Sequence, residues 1–371
     1  MKRLAIVTII ACIVLGAIPT SFISCTDIMG DGVDSIYYPG TTLPQNTSYR
    51  NPVWEPDFEL GTIYKGATNY IAIGSETQWA KGITYCGPTL TSNNLMDWSF
   101  NQNVAFPLKP DTVVAGTETT IFKRPDWAEG RIHSMTAAFA RTVPSTSYWM
   151  FYQIGDTPAI GAAFARSPQG PFSDMGKMMD NEDSNSQTLS HPFFIVVGTR
   201  FYLFYSTENG TYCQELSIRR GTMPTLRNAA VKVSNESFTD VAAYRKGDYY
   251  YLFGKVMNGN SSQINYARAE AITGPYVDKS GTSLTEGNGI LLIESNDRLI
   301  NPENVCGIFA DFYEDDFILY NVTDSEKPTQ DSGYNRRPLV MDKINITEEG
   351  WVEGTIKPTY GWTSPKFRDK E

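Results

Sequence analysis

Two acidic residues, Asp57 and Glu59, have the type and spacing needed to present carboxylates to a single site. They lie two positions apart, and side chains alternate along an extended chain, so both face the same way. Carboxylates that share a site can exchange protons with a ligand. The alternative is that both side chains lie on a solvated loop.

The chain has only two histidines, His133 and His191. Each ring can hydrogen-bond a polar group such as a sugar hydroxyl, although an isolated histidine is more often structural. We expect at least one of them to line a binding site. Their spacing identifies no third ligand for a metal ion, so we predict neither a metal nor a cofactor.

Five short aromatic runs are the elements that must position these side chains. They read as strands at irregular intervals of roughly 50 to 80 residues, which is typical of the blades of a propeller. No long segment has the 3.6-residue apolar period of a helix. The sequence therefore predicts an all-β, five-bladed β-propeller that forms a single domain over residues 50–371. The runs are Tyr70–Ser75, Tyr148–Tyr152, Phe201–Ser206, Tyr249–Phe253 and Phe317–Tyr320.

The charge of the chain restricts its ligands. The formal net charge of −10 argues against nucleic acid, whose phosphates require a basic surface, and is compatible with a neutral ligand such as an oligo- or polysaccharide. Cys86, Cys213 and Cys306 are widely spaced and odd in number, which predicts buried thiols and not a disulfide framework.

The first residues indicate export. Lys2 and Arg3 precede an apolar run over residues 4–18, and Phe22-Ile23-Ser24-Cys25 resembles a lipobox. The run is shorter than the roughly 20 residues that a spanning helix needs. The alternative to lipidation at Cys25 is an ordinary cleaved signal peptide with an incidental cysteine.

These features define the predicted organisation of the protein. Residues 1–24 are a lipoprotein signal peptide, and residues 25–49 are a polar, flexible tether. We expect a monomer in the cell envelope, attached to the membrane only through the lipid on Cys25.

Four motifs follow one another along the chain: Ser92–Trp98, Ala165–Asp174, Ala267–Tyr276, and Arg337–Ile344 leading to Glu349-Gly350-Trp351. In this order they resemble the motifs of glycoside hydrolase family 43, the arabinanase, arabinofuranosidase and xylosidase group. The resemblance implies a five-bladed propeller in which the first residues of the innermost strands converge on a central pocket. It also implies three carboxylates there: an Asp as general base, an Asp that tunes the site and a Glu as general acid.

The three positions that would carry this chemistry are substituted. On the first blade the Asp-Pro of the family falls on Glu59-Leu60, so Asp57 or Glu59 would supply the base. On the third blade His191 replaces the tuning Asp. On the fourth blade the acid aligns with Thr239, and its neighbour Asp240 can act as the acid only if the strand bulges.

Further residues are expected to contact substrate. Asn304 stands where many relatives have a histidine that helps to hold a central ion or water, and Glu303 adds a carboxylate beside it. His133, His191 and Thr239 complete the predicted contacts around the pocket. The loop residues Trp54 and Trp79 are candidate sugar platforms, with core packing as the alternative.

The resemblance implies a glycan-processing protein that acts on arabinose- or xylose-containing polysaccharide. An active enzyme would invert configuration, with two pocket carboxylates roughly 6.5 to 9.5 Å apart. The first alternative is a non-catalytic glycan-binding propeller, which explains the simultaneous substitution of the motif positions. The second is a scaffold that binds a protein partner.

Overall fold

The computed structural model describes the chain from residue 49 to residue 363 with short gaps. The predicted signal peptide, Cys25 and almost all of the tether lie outside the described residues. The described ranges are 49–66, 68–80, 83–106, 124–125, 127, 130–142, 145–155, 157–219, 221–310, 316–331 and 333–363.

The described residues are almost wholly β. The chain enters through β1 (Tyr49–Asn51) and then forms β2 (Leu60–Lys65), β3 (Tyr70–Gly74), β4 (Thr77–Ala80), β5 (Ile83–Tyr85), β6 (Pro88–Ser92) and β7 (Trp98–Val104). The next four strands are β8 (Ile132–Thr142), β9 (Ser145–Ile154), β10 (Thr157–Ala165) and β11 (Ser173–Asp180). A short helix, α1 (Asn181–Ser184), leads to β12 (Ser190–Val197), β13 (Arg200–Thr207), β14 (Gly210–Ser217) and β15 (Thr225–Lys232). The remaining strands are β16 (Thr239–Lys246), β17 (Tyr249–Asn258), β18 (Ser261–Ala269), β19 (Ile290–Ile293), β20 (Leu299–Ala310), β21 (Asp316–Asp324), β22 (Leu339–Ile344) and β23 (Gly361–Thr363).

These strands form five antiparallel blades, which confirms the predicted five-bladed β-propeller. The blades are β2-β3-β6-β7, β8 to β11, β12 to β15, β16 to β19, and β20 to β22, while β4 and β5 form a separate hairpin. Each blade begins with its innermost strand, and β2, β8, β12, β16 and β20 are neighbours around a ring. The beginnings of these five strands therefore meet at one place, as the sequence predicted.

The five aromatic runs form the second strand of every blade, β3, β9, β13, β17 and β21. A second strand has a strand on each side and a blade against each face, so its side chains are buried on both faces and the sequence is a continuous apolar run. In β17, for example, Tyr251 and Leu252 are both fully buried although they point to opposite faces. The aromatic content of these runs is thus explained by packing between blades.

Two turns of related sequence secure the second and fourth blades. Gly170 and Gly274 lie in the left-handed region, with φ of 81° and 83°, which a residue with a Cβ adopts only with strain. The ring that follows each turn, Phe172 or Tyr276, is fully buried. The repeated Gly-Pro-aromatic pattern therefore anchors an outer loop to the core.

The ring closes between the last blade and the first. Strand β1 pairs with β23, in the register Arg50 to Trp362. The buried side chain of Asn321 in β21 adds a second link, because its Nδ2 donates to the carbonyl of Phe58 at 2.7 Å and its Oδ1 accepts from the N–H of Leu60 at 2.7 Å. One amide therefore joins the fifth blade to the entry of the first.

The three cysteines in the described part of the chain, Cys86, Cys213 and Cys306, are buried thiols that are not joined in disulfides, as predicted. Burial raises the pKa of the Cys213 thiol to about 12. No helix in the described part of the chain is long and apolar enough to span a bilayer.

Candidate functional site

Every innermost strand begins with an irregularity that redirects its first side chains. The register shifts near the start of β2, β8, β12, β16 and β20. A bulge leaves a residue out of the ladder and turns its side chain away from the regular alternation. On the last four of these strands, residues at the irregular points adopt positive φ, a region in which Asn and Asp are enriched among non-glycine residues. They are Ser134, His191, Asp240, Asn301 and Asn304.

The bulge in β16 decides whether Asp240 can reach the central pocket. Thr239 remains in the ladder, with its Cα opposite Lys255, and the register resumes only at Ala242. Asp240, at φ 55°, lies within the bulge and faces the beginnings of the other inner strands. Thr239 occupies the position that aligns with the family's acid, but the bulge places the carboxylate of the next residue, Asp240, at the axis.

Asp240 is buried and has a cation beside it. The Nζ of Lys255 lies 3.6 Å from its Oδ2, and that oxygen has no hydrogen-bond partner among the described residues. Burial by itself raises the pKa of Asp240, but His191, Lys255 and the backbone N–H of Asn304 outweigh it and hold the pKa below its ordinary value. Asp240 is therefore an ionised carboxylate with a free lone pair.

Glu303 has the opposite character. Its Oε2 lies 3.9 Å from the same Lys255 Nζ, and its side chain is 28% exposed. Burial raises the pKa of Glu303; Lys255 opposes this rise and the negative charge of Asp240 adds to it. The two carboxyl groups thus share one ammonium group, with their pKa values displaced in opposite directions.

Glu59 reaches the same region but is bound by two guanidinium groups. Its Oε2 accepts from both Arg131 and Arg337. Burial alone would raise the pKa of Glu59, but Arg337 and Arg131 hold it below its ordinary value. This carboxylate is therefore ionised and strongly held, with reduced capacity to accept a further proton.

Asp57 is fully buried and its oxygens are occupied. Thr77 Oγ1 donates to Oδ2 at 2.5 Å, and the backbone N and Nε of Arg337 donate to Oδ1 at 3.2 and 3.0 Å. Asp57 and Glu59 face the same way along the chain, since both carboxylates accept from Arg337. Asp57 is the more deeply buried of the two. Its contacts suit a residue that positions the arginine.

The two histidines lie close to these carboxylates. Burial lowers the pKa of His191, and the charges acting on it come from Asp240, Lys255, His133 and Glu59. Its backbone N–H donates to Oε1 of Gln153 at 3.1 Å, and Nδ1 lies 3.0 Å from Oγ of Ser190. Burial thus disfavours the charged form of His191, and the ring lies where it can hydrogen-bond a hydroxyl group.

His133 is held on the neighbouring blade. Its Nε2 donates to the carbonyl of Gly155 at 3.0 Å, and its Nδ1 lies 3.3 Å from Ser134 Oγ. Asn304 is also committed in part, because its Nδ2 donates to Oδ1 of Asn321 at 3.2 Å. Both residues border the carboxylates with polar atoms already fixed in orientation.

The two candidate tryptophans pack against the first blade, and Trp79 lies in strand β4, not in a loop as expected from the sequence. Trp54 and Trp79 contact each other, with ring centroids 5.6 Å apart, and Trp79 also packs edge to face on Phe100. The indole N–H of Trp79 donates to the carbonyl of Asp57 at 2.6 Å. Their described contacts correspond to the core-packing alternative, because the rings are used within an aromatic cluster.

The cations of the site, which the sequence did not point to, are Arg131, Arg337 and Lys255. Arg337 opens one of the motifs noted above, and Lys255 follows the aromatic run of β17 by two residues. The alternation of a strand could have indicated Lys255, since it lies on the same face as Phe253 and Tyr251. No local pattern links Arg337 to Glu59, because 278 positions separate them.

Among the described residues, no three His, Cys, Asp or Glu side chains are grouped in a way that could hold a metal ion. We call the group formed by Glu59, His191, Asp240, Lys255 and Glu303 the central site. It combines carboxylates of high and low proton affinity at the axis of a five-bladed propeller, an arrangement suited to acid–base chemistry on a polar ligand.

This fold and site define a propeller of the glycosidase class, and comparison with known proteins gives the family. The family model for glycosyl hydrolases family 43 matches residues 49–352. The chain belongs to this family.

Characterised relatives match parts of the chain. An extracellular endo-alpha-(1->5)-L-arabinanase 1 of Bacillus subtilis (strain 168) is 33% identical over 171 residues, 42% of this chain and 52% of the relative. The extracellular exo-alpha-(1->5)-L-arabinofuranosidase ArbA of Cellvibrio japonicus is 43% identical over 61 residues, 15% of this chain and 18% of the relative. The matches thus cover about half or less of each of these relatives.

Solved structures resemble the whole propeller. The alpha-L-arabinanase of Cellvibrio cellulosa complexed with arabinohexaose superimposes with a TM-score of 0.61 at 16% identity, over 81% of this chain and 96% of that one. The family 43 endo-arabinanase of Bacillus licheniformis gives a TM-score of 0.59 at 19% identity, over 82% of this chain and 97% of that one. At these identities the likeness supports the fold.

Proposed function

We propose that this protein is a glycoside hydrolase that cleaves arabinose-containing polysaccharide with inversion of configuration. Membership of family 43 and the arabinan-cleaving relatives support the substrate class. The observation that carries the proposal is the pairing of Glu303, whose pKa is raised, with the ionised Asp240 across Lys255.

The proposed reaction uses these two carboxyl groups in turn. Glu303 gives its proton to the glycosidic oxygen as the bond from that oxygen to the anomeric carbon breaks. A water molecule adds to the anomeric carbon from the opposite side and loses a proton to Asp240. Exchange with solvent then returns a proton to Glu303 and removes one from Asp240.

These roles differ from those predicted from the sequence, in which Asp240 was the acid and Asp57 or Glu59 the base. An acid must remain protonated at the working pH, and the pKa of Asp240 is lowered. Glu59 is held by Arg131 and Arg337, which both donate to its Oε2 and keep its pKa low. We therefore assign Glu59 to orienting Arg131 and Arg337 at the edge of the site.

The test is hydrolysis by Glu303→Gln and Asp240→Asn. On arabinan we expect each variant to lose at least ~100-fold in kcat/KM, the usual contribution of a general acid or base. On an aryl arabinofuranoside with a dinitrophenyl leaving group, Glu303→Gln should recover most of its rate, because that leaving group needs no proton. Asp240→Asn should stay impaired on this substrate. With the wild type, NMR should show that the first sugar released has the anomeric configuration opposite to that of the substrate.

The matched control is Glu286→Gln, which changes an exposed carboxylate on the fourth blade. It should hydrolyse both substrates like the wild type. If Glu303→Gln retains full activity on arabinan while the wild type is active, the acid lies elsewhere and the assignment is wrong.

A second candidate function is glycan binding without hydrolysis. The observation that favours it is the state of the first-blade carboxylates, since Asp57 and Glu59 are both neutralised by arginine side chains. Retained affinity for arabinan with no turnover of any arabinoside or xyloside by the wild type would select this function.

We also propose that the protein is exported and held in the cell envelope as a monomer by a lipid on Cys25. The support is the lipobox-like sequence that ends at Cys25 and the extracellular character stated for two relatives. Changing Cys25→Ala should move the protein from the membrane fraction to the soluble fraction of the envelope. Equal membrane recovery of both forms would exclude lipidation at this residue.

A further inference from the structure

A cavity on the outer side of the first blade is separate from the central site. It lies where strands β1 and β23 pair and where the loop before β7 passes beneath them. Its volume is about 290 Å³, near the lower end of the range for ligand pockets. We call it the terminal cavity; it is lined by Tyr49, Arg50, Pro52, Val53, Met96, Asp97, Trp98 and Trp362.

Trp362 is the feature of this cavity that packing does not explain. It is 77% exposed, the highest exposure among the large hydrophobic side chains of the described residues. Tryptophan is usually well buried, because its ring is the largest apolar surface that a side chain can remove from water. An open indole at the rim of a cavity is a surface available to a flat ligand.

The other walls divide into apolar and polar parts. Tyr49 and Trp98 are buried. The Tyr49 hydroxyl donates to the carbonyl of Met341 at 2.9 Å, and the indole N–H of Trp98 donates to the carbonyl of Leu95 at 2.7 Å. They therefore present only ring surface. Arg50, directly opposite Trp362 in the strand pair, forms no ion pair within the described part of the chain and adds hydrogen-bond donors.

Asp97 supplies a fixed acceptor. Nδ2 of Asn94 donates to its Oδ2 at 2.8 Å, and Oδ1 of Asn94 accepts from the N–H groups of Met96 and Asp97 at 3.0 and 2.9 Å. This turn holds the carboxylate in one orientation and leaves its other oxygen without a partner in the turn. One cation and one anion at the cavity balance in charge, which suits an uncharged ligand.

We propose that the terminal cavity is a second, non-catalytic site for a neutral oligosaccharide. The C–H face of a sugar ring packs on the indole of Trp362, and the hydroxyl groups bond with Arg50 and Asp97. The volume suits one or two sugar units of a longer chain. The identity of the glycan as arabinan rests on the proposed function, whereas the existence of the site does not.

The test measures binding of debranched arabinan by affinity gel electrophoresis in the Glu303→Gln background, which prevents degradation during the run. Adding Trp362→Ala should weaken binding of the polymer at least about fivefold, and Trp362→Phe should retain part of it. Arg50→Gln should weaken it as well. Hydrolysis of a soluble aryl arabinofuranoside by Trp362→Ala alone should be unchanged, because that substrate needs only the central site.

The matched control is Tyr360→Ala. Tyr360 is an exposed aromatic residue two positions away that stacks on Arg298, with the guanidinium 3.5 Å from the ring centroid, and it does not line the cavity. Equal polymer binding by the Trp362→Ala, Tyr360→Ala and parent proteins would overturn the proposal. A fall in melting temperature of Trp362→Ala without any change in binding would overturn it too, since the ring would then be a packing residue.

The outcome does not depend on catalysis. If the wild type hydrolyses nothing but Trp362→Ala still weakens binding, the second site stands and the proposed hydrolase function fails. If the wild type is an active arabinanase and its affinity for the polymer does not change on Trp362→Ala, the proposed function stands and the second site fails.

Discussion

At the scale of single residues, the neighbours of a carboxylate decide what it can do. Asp57, Glu59, Asp240 and Glu303 all approach the inner strands, yet two are neutralised by arginine, one is ionised with a free oxygen and one has a raised pKa. Chemically similar side chains thus acquire different roles from burial and from nearby charge.

Lys255 couples the two groups that we assign to catalysis, and it provides a prediction on pH. A positive charge favours the ionised form of each carboxyl group, so Lys255→Met should raise the pKa of both Asp240 and Glu303. The acidic limb of the kcat/KM profile, set by ionisation of Asp240, and the basic limb, set by loss of the Glu303 proton, should both move to higher pH.

The control for this measurement is Lys177→Met, which removes a half-exposed lysine that pairs with Asp180 on the second blade. Its pH profile of kcat/KM should overlie that of the wild type. If the profile of Lys255→Met also overlies the wild type, the limbs do not report these two carboxyl groups.

At the scale of elements, the bulges at the start of the inner strands build the site. In a regular strand Asp240 would face away from the side that Thr239 occupies, and the positive φ at Asp240 removes that restriction. The same device occurs at His191 on the third blade. The positions of these side chains are therefore set by the backbone of their strands.

Asn321 is the corresponding element-scale feature of ring closure. Replacing it by Leu would remove its bonds to Phe58, Leu60 and Asn304, and would leave the buried N–H of Leu60 without its partner. Since each unsatisfied buried group costs about 1 to 3 kcal/mol, Asn321→Leu should lower the free energy of unfolding by roughly 3 kcal/mol. Urea denaturation measures this change.

Asn258→Leu serves as the control, because Asn258 is exposed at the end of β17 and makes one long hydrogen bond, 3.4 Å to Gln263. It should change the unfolding free energy little. Amide exchange at Leu60 should become faster in Asn321→Leu only. Similar losses of stability in the two variants would show that Asn321 has no special role in closure.

At the scale of the whole molecule, a buried carboxyl group links stability to pH. Asp342 in β22 is 7% exposed and accepts from the Tyr320 hydroxyl at 2.5 Å, close to the buried Tyr49 of β1. Burial raises the pKa of Asp342 to about 7. The hydrogen bond from Tyr320 lowers this pKa but does not cancel the effect of burial. The folded protein therefore binds a proton that the unfolded chain releases near its ordinary pKa of 3.8.

The consequence is a loss of stability as pH rises. Between about pH 4 and pH 7 the unfolded state has fewer bound protons than the folded state, so ionisation of Asp342 should lower the unfolding free energy by roughly 4 kcal/mol. Asp342→Asn keeps an acceptor for Tyr320 and removes the charge. It should melt at a higher temperature than the wild type at about pH 8 and show little difference at about pH 4.

Asp297→Asn, at an exposed position before β20, is the comparison for that experiment. Its melting temperature should follow the wild type across the whole pH range. A wild-type stability that does not fall more steeply than that of Asp342→Asn between these pH values would mean that Asp342 ionises without cost in the folded state.

Much of this molecule was predictable from its sequence, and the reasons are local. The second strands are buried on both faces, so runs such as Tyr249–Phe253 reveal their position directly. The need for a bulge at Asp240 also followed from the side-chain alternation of a strand. Trp54 and Trp79 were less predictable, because a tryptophan outside the blade strands packs or projects according to distant side chains such as Phe100.

The sequence by itself determined the five-bladed fold, the family resemblance and the set of polar residues that approach the axis, because each depends on periodicity and on motifs a few residues long. Only the tertiary structure decided which carboxylate is free, which is held by arginine and which has a raised pKa. Those properties depend on burial and on charges such as Arg337 and Lys255, which reach the site from other strands and, for Arg337, from the opposite end of the chain.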